Sequence, residues 1–217
     1  MEKGLKVEII CIDELDSTHT FMCKKIREGE INKNIAIYAL KQSNGVGSRD
    51  NEWQSKEGNL HLNFCIKQDD LSPDLPLCSI SIYFGFIMKE LLSSKGSKAW
   101  LKWPNDLYIG DKKIGGLISS KIQDFIIVGI GLNLKYSPLY ATVLDINIDL
   151  KDLICEYIKE VEKKILWKQI FRKYIVEFEK SRSYKANIDG REVSLKDALL
   201  YEDGSILLEN RRVYNLR

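Results

Sequence analysis

The sequence lacks several features that would place it in a special class of protein. Its 217 residues contain no uninterrupted apolar run approaching the roughly 20 residues that a membrane-spanning helix needs. The N-terminus has no apolar stretch followed by a small-residue cleavage site, so we expect no secretory signal and no membrane partner. Only 4 prolines and 14 glycines are present, which excludes collagen-like and low-complexity chains.

Cysteine and histidine are also sparse. The 5 cysteines are scattered and form no C-x-x-C pair, so we expect reduced thiols in a cytoplasmic protein. With only two histidines, His19 and His61, we assign no metal-ligating residues. The net charge of +2 is too small to indicate that the chain as a whole attracts nucleic acid, so we expect no nucleic-acid partner.

The remaining composition is that of an ordinary folded protein. Hydrophobic residues make up 44% and charged residues 29%, which is enough apolar material for a core. Helical periodicity mixed with antiparallel hairpin signals predicts an α+β fold, a mixed β-sheet with helices packed against it. Near residue 180 the sequence pattern changes to short predicted strands separated by turn residues. We therefore expect a main domain at 1–180 and a small β domain at 181–217.

Hydrophobic patterning and turn residues predict the individual elements. Strands are expected at 5–12, 35–40, 60–66, 99–103, 107–109, 113–114, 116–122 and 125–132, and at 184–188, 206–208 and 212–214. Helices are expected after 16–18, at 79–92, and once or twice within 153–178. Strand 60–66 alternates apolar and polar residues, which predicts one buried face.

Two segments have residues suited to binding an anion. Gly45 and Gly47 allow close approach of the backbone to a ligand, and the guanidinium of Arg49 adds several hydrogen-bond donors. The same residues are also compatible with a surface loop that binds nothing. Lys102 lies at an apolar strand end beside tryptophans, where an unpaired ammonium is costly. Either Asp106 neutralises Lys102 structurally, or the lysine awaits an anionic ligand.

Three further segments are less specific. Lys-Lys-Ile-Gly-Gly at 112–116 fits either a ligand site or a hairpin with solvated lysines. Gly-Ile-Gly-Leu-Asn at 129–133 indicates close approach to a strand, by a ligand or by another part of the chain. Ser-Thr-His at 17–19 is typical of a helix cap.

Together, the order and spacing of these segments resemble one family. The segments are Asp16-Ser17-Thr18, Gln42 with Gly45-x-Gly47, Trp53-x-Ser55, Gly58-Asn59-Leu60, Lys102-Trp103-Pro104-Asn105-Asp106, Lys113-x-Gly115-Gly116 and Gly129-x-Gly131-x-Asn133. They resemble the catalytic domain of biotin protein ligases, and Lys-Trp-Pro-Asn-Asp is the most specific element. The resemblance implies the class II synthetase-like biotin/lipoate ligase fold, followed by an SH3-like β domain.

The resemblance implies a two-step enzyme reaction. Biotin and ATP, with Mg²⁺, would form biotinyl-5′-adenylate and pyrophosphate. The ε-amine of a lysine on biotin carboxyl carrier protein, the acetyl-CoA carboxylase subunit, would then take the biotinyl group and release AMP. The expected activity is therefore biotin–protein ligase, with biotin as substrate and ATP and Mg²⁺ as cofactors.

The resemblance also assigns site residues. Lys102 and Arg49 would be catalytic, the Lys102 ammonium lying between the biotin carboxylate and the α-phosphate, where preorganised charge is worth about 3–4 kcal/mol. The residues expected around biotin are Ser17, Thr18, His19, Gln42, Gly45, Val46, Gly47, Ser48, Lys102, Gly115 and Gly116. Those expected around the nucleotide are Arg49, Trp53, Asn105, Lys113 and Asn133, with Trp53 stacking on adenine.

One departure from the family concerns the glycine loop. Where the family usually has Gly-Arg-Gly-Arg, this chain has Val46 and Ser48 at the arginine positions, and arginine follows at Arg49. We expect Arg49 to take over the phosphate contact through a shifted loop. A loop that closes poorly would let the adenylate leak to water, because lids serve partly to exclude it.

Three alternatives are open at the sequence level. A lipoate–protein ligase would use the same two-step logic, but lipoate has no ureido group to bind Ser17, Thr18 and Gln42. A biotin-sensing DNA-binding repressor would need a helix-turn-helix, and we expect no DNA binding because a strand is predicted from residue 5. A non-catalytic biotin-binding relative is the third, and the sequence leaves open whether the protein forms a homodimer.

Overall fold

A seven-stranded mixed sheet is the main layer of the computed structural model, which describes residues 5–48 and 51–214. Its strands are β1 (Glu8–Leu15), β2 (Ile35–Gln42), β3 (Leu60–Lys67), β4 (Trp100–Lys102), β5 (Asp106–Ile109), β6 (Lys112–Ile122) and β7 (Phe125–Leu132). Their order across the sheet is β1-β2-β3-β7-β6-β5-β4, with β1 and β2 parallel and the remaining neighbours antiparallel. The predicted α+β fold with a mixed sheet is confirmed.

Helices cover both faces of this sheet. Helix α1 (Thr18–Arg27) packs on one face, where Met22 and Ile26 meet apolar side chains of β2, β3 and β7. Helices α2 (Ile80–Ser94), α3 (Leu150–Glu162) and α4 (Trp167–Ser181) contribute to the larger core on the other face. The amphipathic region expected at 153–178 is therefore two helices, separated by a short turn.

Strand β3 is buried on both faces, so the prediction of one buried face was wrong. Leu60, Leu62 and Phe64 enter the larger core, as their alternation indicates. His61 and Asn63 point to the other face but are also buried, because α1 and neighbouring strands cover it. Polar side chains thus lie at the middle of the sheet, and these need partners or a ligand.

Helix α2 is apolar around most of its circumference. The segment Leu77–Ser94 is long and apolar enough to cross a membrane by length and composition, with a mean hydropathy of 1.3. Most of this segment is buried inside the protein against the sheet, α3 and α4. Such burial is that of a core helix, for which an all-round apolar surface is expected.

The chain after α4 forms two small antiparallel sheets. One contains β8 (Lys185–Ile188) and β9 (Arg191–Ser194), and the other contains β10 (Leu199–Leu200), β11 (Ile206–Leu208) and β12 (Arg211–Val213). These sheets are consistent with the expected SH3-like domain. The sequence pattern did not predict β9 and β10. We call residues 185–213, which contain β8 to β12, the C-terminal β unit. The indole N–H of Trp103 donates to the Gly204 carbonyl at 3.0 Å, which connects this unit to the main sheet. The boundary at residue 180 stays a prediction.

Candidate active site

A cleft of about 390 Å³ opens over the α1 side of the sheet, and several glycines line it. Register pairs Asp106 with Gly116, and Gly116 with Gly131, so these residues form a row across β5, β6 and β7. A Cβ on Gly131 would lie 2.5 Å from the Trp53 ring, and a Cβ on Gly116 would lie 3.0 Å from Asp106 Oδ1. Glycine at these two positions therefore leaves room for the Trp53 ring and the Asp106 carboxylate, both of which line the cleft.

The end of the cleft near β1 and β2 is neutral and rich in hydrogen bonds. Ser17 caps α1, its Oγ accepting the Thr20 N–H at 3.3 Å. Gln42 Oε1 accepts both the backbone N–H and the hydroxyl of Thr18, at 2.8 and 3.0 Å, and Gln42 Nε2 donates to Ser55 Oγ at 2.8 Å. Ser17, Thr18 and Gln42 are all buried, so this end is preorganised by mutual bonds.

His19 lies on the wall of the same end. The Asn63 amide N–H donates to His19 Nδ1 at 3.0 Å, because an amide nitrogen has no lone pair to offer. His19 Nε2 forms a hydrogen bond with Ser120 Oγ at 3.1 Å. The sequence analysis did not name Asn63 as a site residue. Its position in the middle of a predicted strand, between Leu62 and Phe64, could have indicated a buried polar group that needs a partner.

The opposite end of the cleft carries charge. Lys113 Nζ lies 2.6 Å from Asp106 Oδ1, and both side chains are partly exposed to the cleft. The Asn105 amide donates to the Leu117 carbonyl at 2.6 Å, which fixes the turn after β4. Since β3 and β7 lie between β2 and β6, three inter-strand spacings separate the two ends by about 14 Å.

Lys102 does not line the cleft, and its predicted place between the two substrate anions stays a prediction. Lys102 lies on edge strand β4, one strand beyond Asp106, and is only 9% exposed. Its Nζ donates to the Tyr108 hydroxyl at 3.4 Å and lies 5.1 Å and 6.0 Å from the ring centroids of Tyr108 and Tyr184. Tyrosines therefore surround the ammonium, and Lys113 is the lysine that reaches the cleft.

Residues 45–47 of the glycine loop pair with residues 51–53. The Gly47 N–H donates to the Asn51 carbonyl at 2.7 Å, and the Trp53 N–H donates to the Gly45 carbonyl at 2.8 Å. A Cβ on Gly45 would lie 2.5 Å from the Trp53 carbonyl oxygen. Close approach of the Trp53 backbone, rather than of a ligand, accounts for glycine at position 45.

The cleft brings together most of the predicted site residues. Those that line it are Ser17, Thr18, His19, Gln42, Val46, Gly47, Ser48, Trp53, Asn105, Lys113, Gly116 and Asn133. Gly45, Lys102 and Gly115 do not line it, and a Cβ on Gly115 would meet Leu132 and the Gly131 carbonyl instead. Arg49 lies outside the described residues, so the predicted phosphate contact stays a prediction.

Asn133 connects the charged end to the chain that follows β7. Its N–H donates to the Ile114 carbonyl at 2.7 Å, and its amide donates to the Thr142 carbonyl at 3.2 Å. Pro138 and Tyr140 of this following segment also line the cleft, and Tyr140 is largely exposed. Trp53 packs on Gly131 nearby, and its predicted stacking on adenine is untested.

Comparison with known proteins identifies the family. The model of the biotin/lipoate A/B protein ligase family matches residues 11–134, more than half of the chain. The chain belongs to this family. One solved structure to which the chain is similar is that of biotin acetyl coenzyme A carboxylase synthetase from Helicobacter pylori, solved with bound biotinylated ATP. It is 37% identical with a TM-score of 0.91, over 96% of this chain and 100% of that one.

Two other relatives extend the comparison. The bifunctional ligase/repressor BirA of Escherichia coli is 27% identical over 219 residues, which cover 90% of this chain and 67% of the E. coli protein. Biotin protein ligase from Aquifex aeolicus, solved with biotin and ATP, shares the fold with a TM-score of 0.75 at 22% identity. That alignment covers 95% of this chain and 94% of the other.

Proposed function

We propose that this chain is a biotin–protein ligase, which adenylates biotin and transfers it to a lysine of a carrier protein. The observation that carries the proposal is one cleft with a neutral, hydrogen-bonding end and a charged end about 14 Å apart. Biotin has a neutral ureido ring at one end and a carboxylate at the other, which matches this polarity. The relative from H. pylori, which matches over its whole solved chain and was solved with biotinylated ATP, supports the same substrates.

The neutral end recognises the ureido ring. Ser17 and Thr18 retain hydroxyl groups at the cleft, whereas both bonds of Gln42 Oε1 are already used by Thr18. Gln42 therefore acts by holding Thr18 in place. Sites whose buried polar atoms pair with a ligand reject analogues that lack those atoms by about 10⁴–10⁵. This end thus favours biotin over lipoate, which has no ureido group.

The charged end promotes adenylation. The biotin carboxylate and the α-phosphate of ATP repel each other, and the Lys113 ammonium lies where it can neutralise both. The carboxylate oxygen attacks the α-phosphorus, the bond to the bridging oxygen breaks, and pyrophosphate leaves. In the second step the neutral lysine amine of the carrier attacks the carbonyl carbon of the mixed anhydride. AMP leaves with the electron pair, and the nitrogen loses its proton.

The fit of Mg²⁺ to this site follows from the donors present. Within residues 5–48 and 51–214 no cluster of three or more histidine, cysteine, aspartate or glutamate side chains could hold a metal alone. Magnesium instead uses one or two carboxylates together with substrate phosphates, and Asp106 supplies a carboxylate in the cleft. Asp106 would hold the ion, which neutralises polyphosphate charge when bound.

The proposal is tested by incubating the protein with biotin, ATP, Mg²⁺ and a biotin carrier domain. We expect the carrier mass to increase by one biotinyl group, with release of pyrophosphate and AMP. A parallel incubation with lipoate should leave the mass unchanged, and a lipoyl increase in its place would reassign the substrate. Binding of biotin without pyrophosphate release would make the protein a non-catalytic relative.

The partner and the compartment belong to the same proposal. A relative from Mycobacterium tuberculosis is a biotin–[acetyl-CoA-carboxylase] ligase, 26% identical over 35% of this chain. The carboxylase carrier protein is therefore the substrate we propose. We also propose a cytoplasmic location, since all five cysteines are unpaired thiols, which suits a reducing compartment.

A further inference from the structure

The segment Gly58-Asn59-Leu60 has no role in the proposed reaction, although its asparagine makes an unusual set of contacts. Asn59 is only 1% exposed. Its Oδ1 accepts the N–H groups of Leu134, Lys135 and Tyr136 at 3.0, 3.0 and 3.1 Å. Its Nδ2 donates to the Tyr136 carbonyl at 2.8 Å. One buried side chain thus fixes three consecutive residues of the segment that follows β7.

This contact is formed by backbone groups that need such a partner. Consecutive N–H groups that point to one side of the chain form a concave site, which is satisfied by an acceptor at its centre. An asparagine supplies that acceptor without a charge, and its NH₂ group also satisfies a carbonyl. Gly58 has a φ of 91°, which favours glycine, and a Cβ there would lie 2.9 Å from Lys135 Cδ. Both residues of the motif therefore serve the same crossing of the chain.

The segment held by Asn59 is also held at its other end. We call residues 134–142 the cleft loop. The Thr142 N–H donates to the Lys113 carbonyl at 3.0 Å, and the Thr142 carbonyl accepts the Asn133 amide at 3.2 Å. The last residue of the cleft loop therefore lies at the charged end of the cleft, beside the lysine that we propose for adenylation.

The middle of the cleft loop forms part of the cleft wall. Pro138, Tyr140 and Ala141 line the cleft, whereas Leu139 is fully exposed and Tyr140 largely exposed. Exposed side chains contribute little packing to hold a segment in place. The position of this part of the wall therefore depends on the hydrogen bonds at the two ends of the loop.

We propose that Asn59 is a positioning residue for ATP, which acts through the cleft loop. Asn59 itself does not line the cleft, so its effect reaches the ligand through Pro138 and Tyr140. Because the loop ends beside Lys113, it borders the end at which the proposed reaction has the α-phosphate. The inference rests on the proposed function, since it takes ATP as the ligand at this end.

Steady-state kinetics of Asn59→Ala tests the effect on ATP. The variant loses the acceptor and the donor together, so the cleft loop is released at its first three residues. If the released loop holds the binding arrangement about a tenth of the time, the apparent affinity for ATP falls about tenfold. The KM for ATP, measured by pyrophosphate release, should rise accordingly, while the KM for biotin and kcat at saturating ATP should change less than about twofold. A merely destabilised variant would lose active enzyme and keep both KM values.

Limited proteolysis tests the loop without any substrate. Chymotrypsin cleaves after large apolar and aromatic residues, and the cleft loop offers Leu139 and Tyr140. Cleavage there should be fastest in Asn59→Ala and slowest in wild type, because it follows local opening. Asn59→Asp keeps an acceptor for the three N–H groups but cannot donate to the Tyr136 carbonyl, so its rate should lie between them. The Asp variant also serves if the Ala variant does not fold.

Asn34→Ala is the matched control. Asn34 also joins two parts of the chain, since its Oδ1 accepts the Lys67 N–H at 2.8 Å and its Nδ2 donates to Asp70 at 2.7 Å. It lies at the opposite end of β3 from Asn59, so its KM values and loop cleavage should match wild type.

Three results would overturn the inference. They are a KM for ATP in Asn59→Ala that is unchanged or rises only together with the KM for biotin, loop cleavage at the wild-type rate, and the same shift in Asn34→Ala. Failure of wild type to release pyrophosphate from ATP with biotin would instead overturn the proposed function. The order of cleavage rates would then still decide whether Asn59 holds the loop.

Discussion

At the scale of single residues, Lys113 is the cleft lysine that we propose for adenylation. Replacing Lys113 by alanine removes the ammonium at the charged end, so adenylation should fall about 10²–10³-fold, the cost of losing one preorganised transition-state contact. Pyrophosphate release in the presence of biotin and ATP measures it. Lys112→Ala, an exposed neighbour on the same strand, is the control and should keep its rate. Equal rates in the two variants would remove Lys113 from the mechanism.

Gln42 is the second residue whose role follows from its bonds. Gln42→Leu leaves the Thr18 N–H and hydroxyl without their buried acceptor, so the free energy of unfolding should fall by about 1–3 kcal/mol. Biotin affinity should fall as well, because Thr18 is no longer held. Urea unfolding and biotin titration measure the two effects. Gln54→Leu, at an exposed position on the cleft, should change stability little, and an equal loss there would contradict the assigned role.

At the scale of elements, helix α4 is capped by a residue far away in sequence. Leu166 at its N-cap position has no capping side chain, and Asp74 accepts the Trp167 and Lys168 N–H groups at 2.7 and 3.1 Å. Asp74→Ala should therefore lower the free energy of unfolding by about 1–2 kcal/mol at neutral pH. Asp69→Ala, an exposed carboxylate nearby, should be almost neutral.

The stabilisation by this cap should depend on pH, in a direction that follows from the pKa of Asp74. Burial raises the pKa of Asp74, but the hydrogen bonds from Lys168, Trp167 and Ser72 outweigh it and hold the pKa below the ordinary value of 3.8. A lowered pKa in the folded state means that the stabilisation is present above about pH 3.8 and is lost as the pH falls through the folded pKa. The stability difference between wild type and Asp74→Ala should shrink at low pH, and a constant difference would contradict the cap.

At the scale of the whole molecule, the C-terminal β unit shares the main core. Ile206 and Leu208 belong to the same apolar cluster as α2 and α4, and the Trp167 indole donates to the Glu202 carbonyl at 2.8 Å. We therefore expect one cooperative unfolding transition in calorimetry, coincident with loss of tryptophan fluorescence. Two separated transitions would show that the C-terminal β unit unfolds independently. The absence of DNA binding stays a prediction, which DNA titration would test, and light scattering would decide whether the chain forms a homodimer.

The sequence by itself determined the fold class, the family and most of the cleft. Strand alternation, the Ser17 cap and paired glycines are local signals, because each depends on residues a few positions apart. Only the tertiary structure decided that Lys113 rather than Lys102 reaches the cleft. Both lysines lie near strand ends, and their difference depends on the place of their strands in the sheet: β6 borders the cavity, whereas β4 is the edge strand beyond β5. The burial of Asn63 and the distant cap by Asp74 depend likewise on packing across the sheet, to which no local pattern is sensitive.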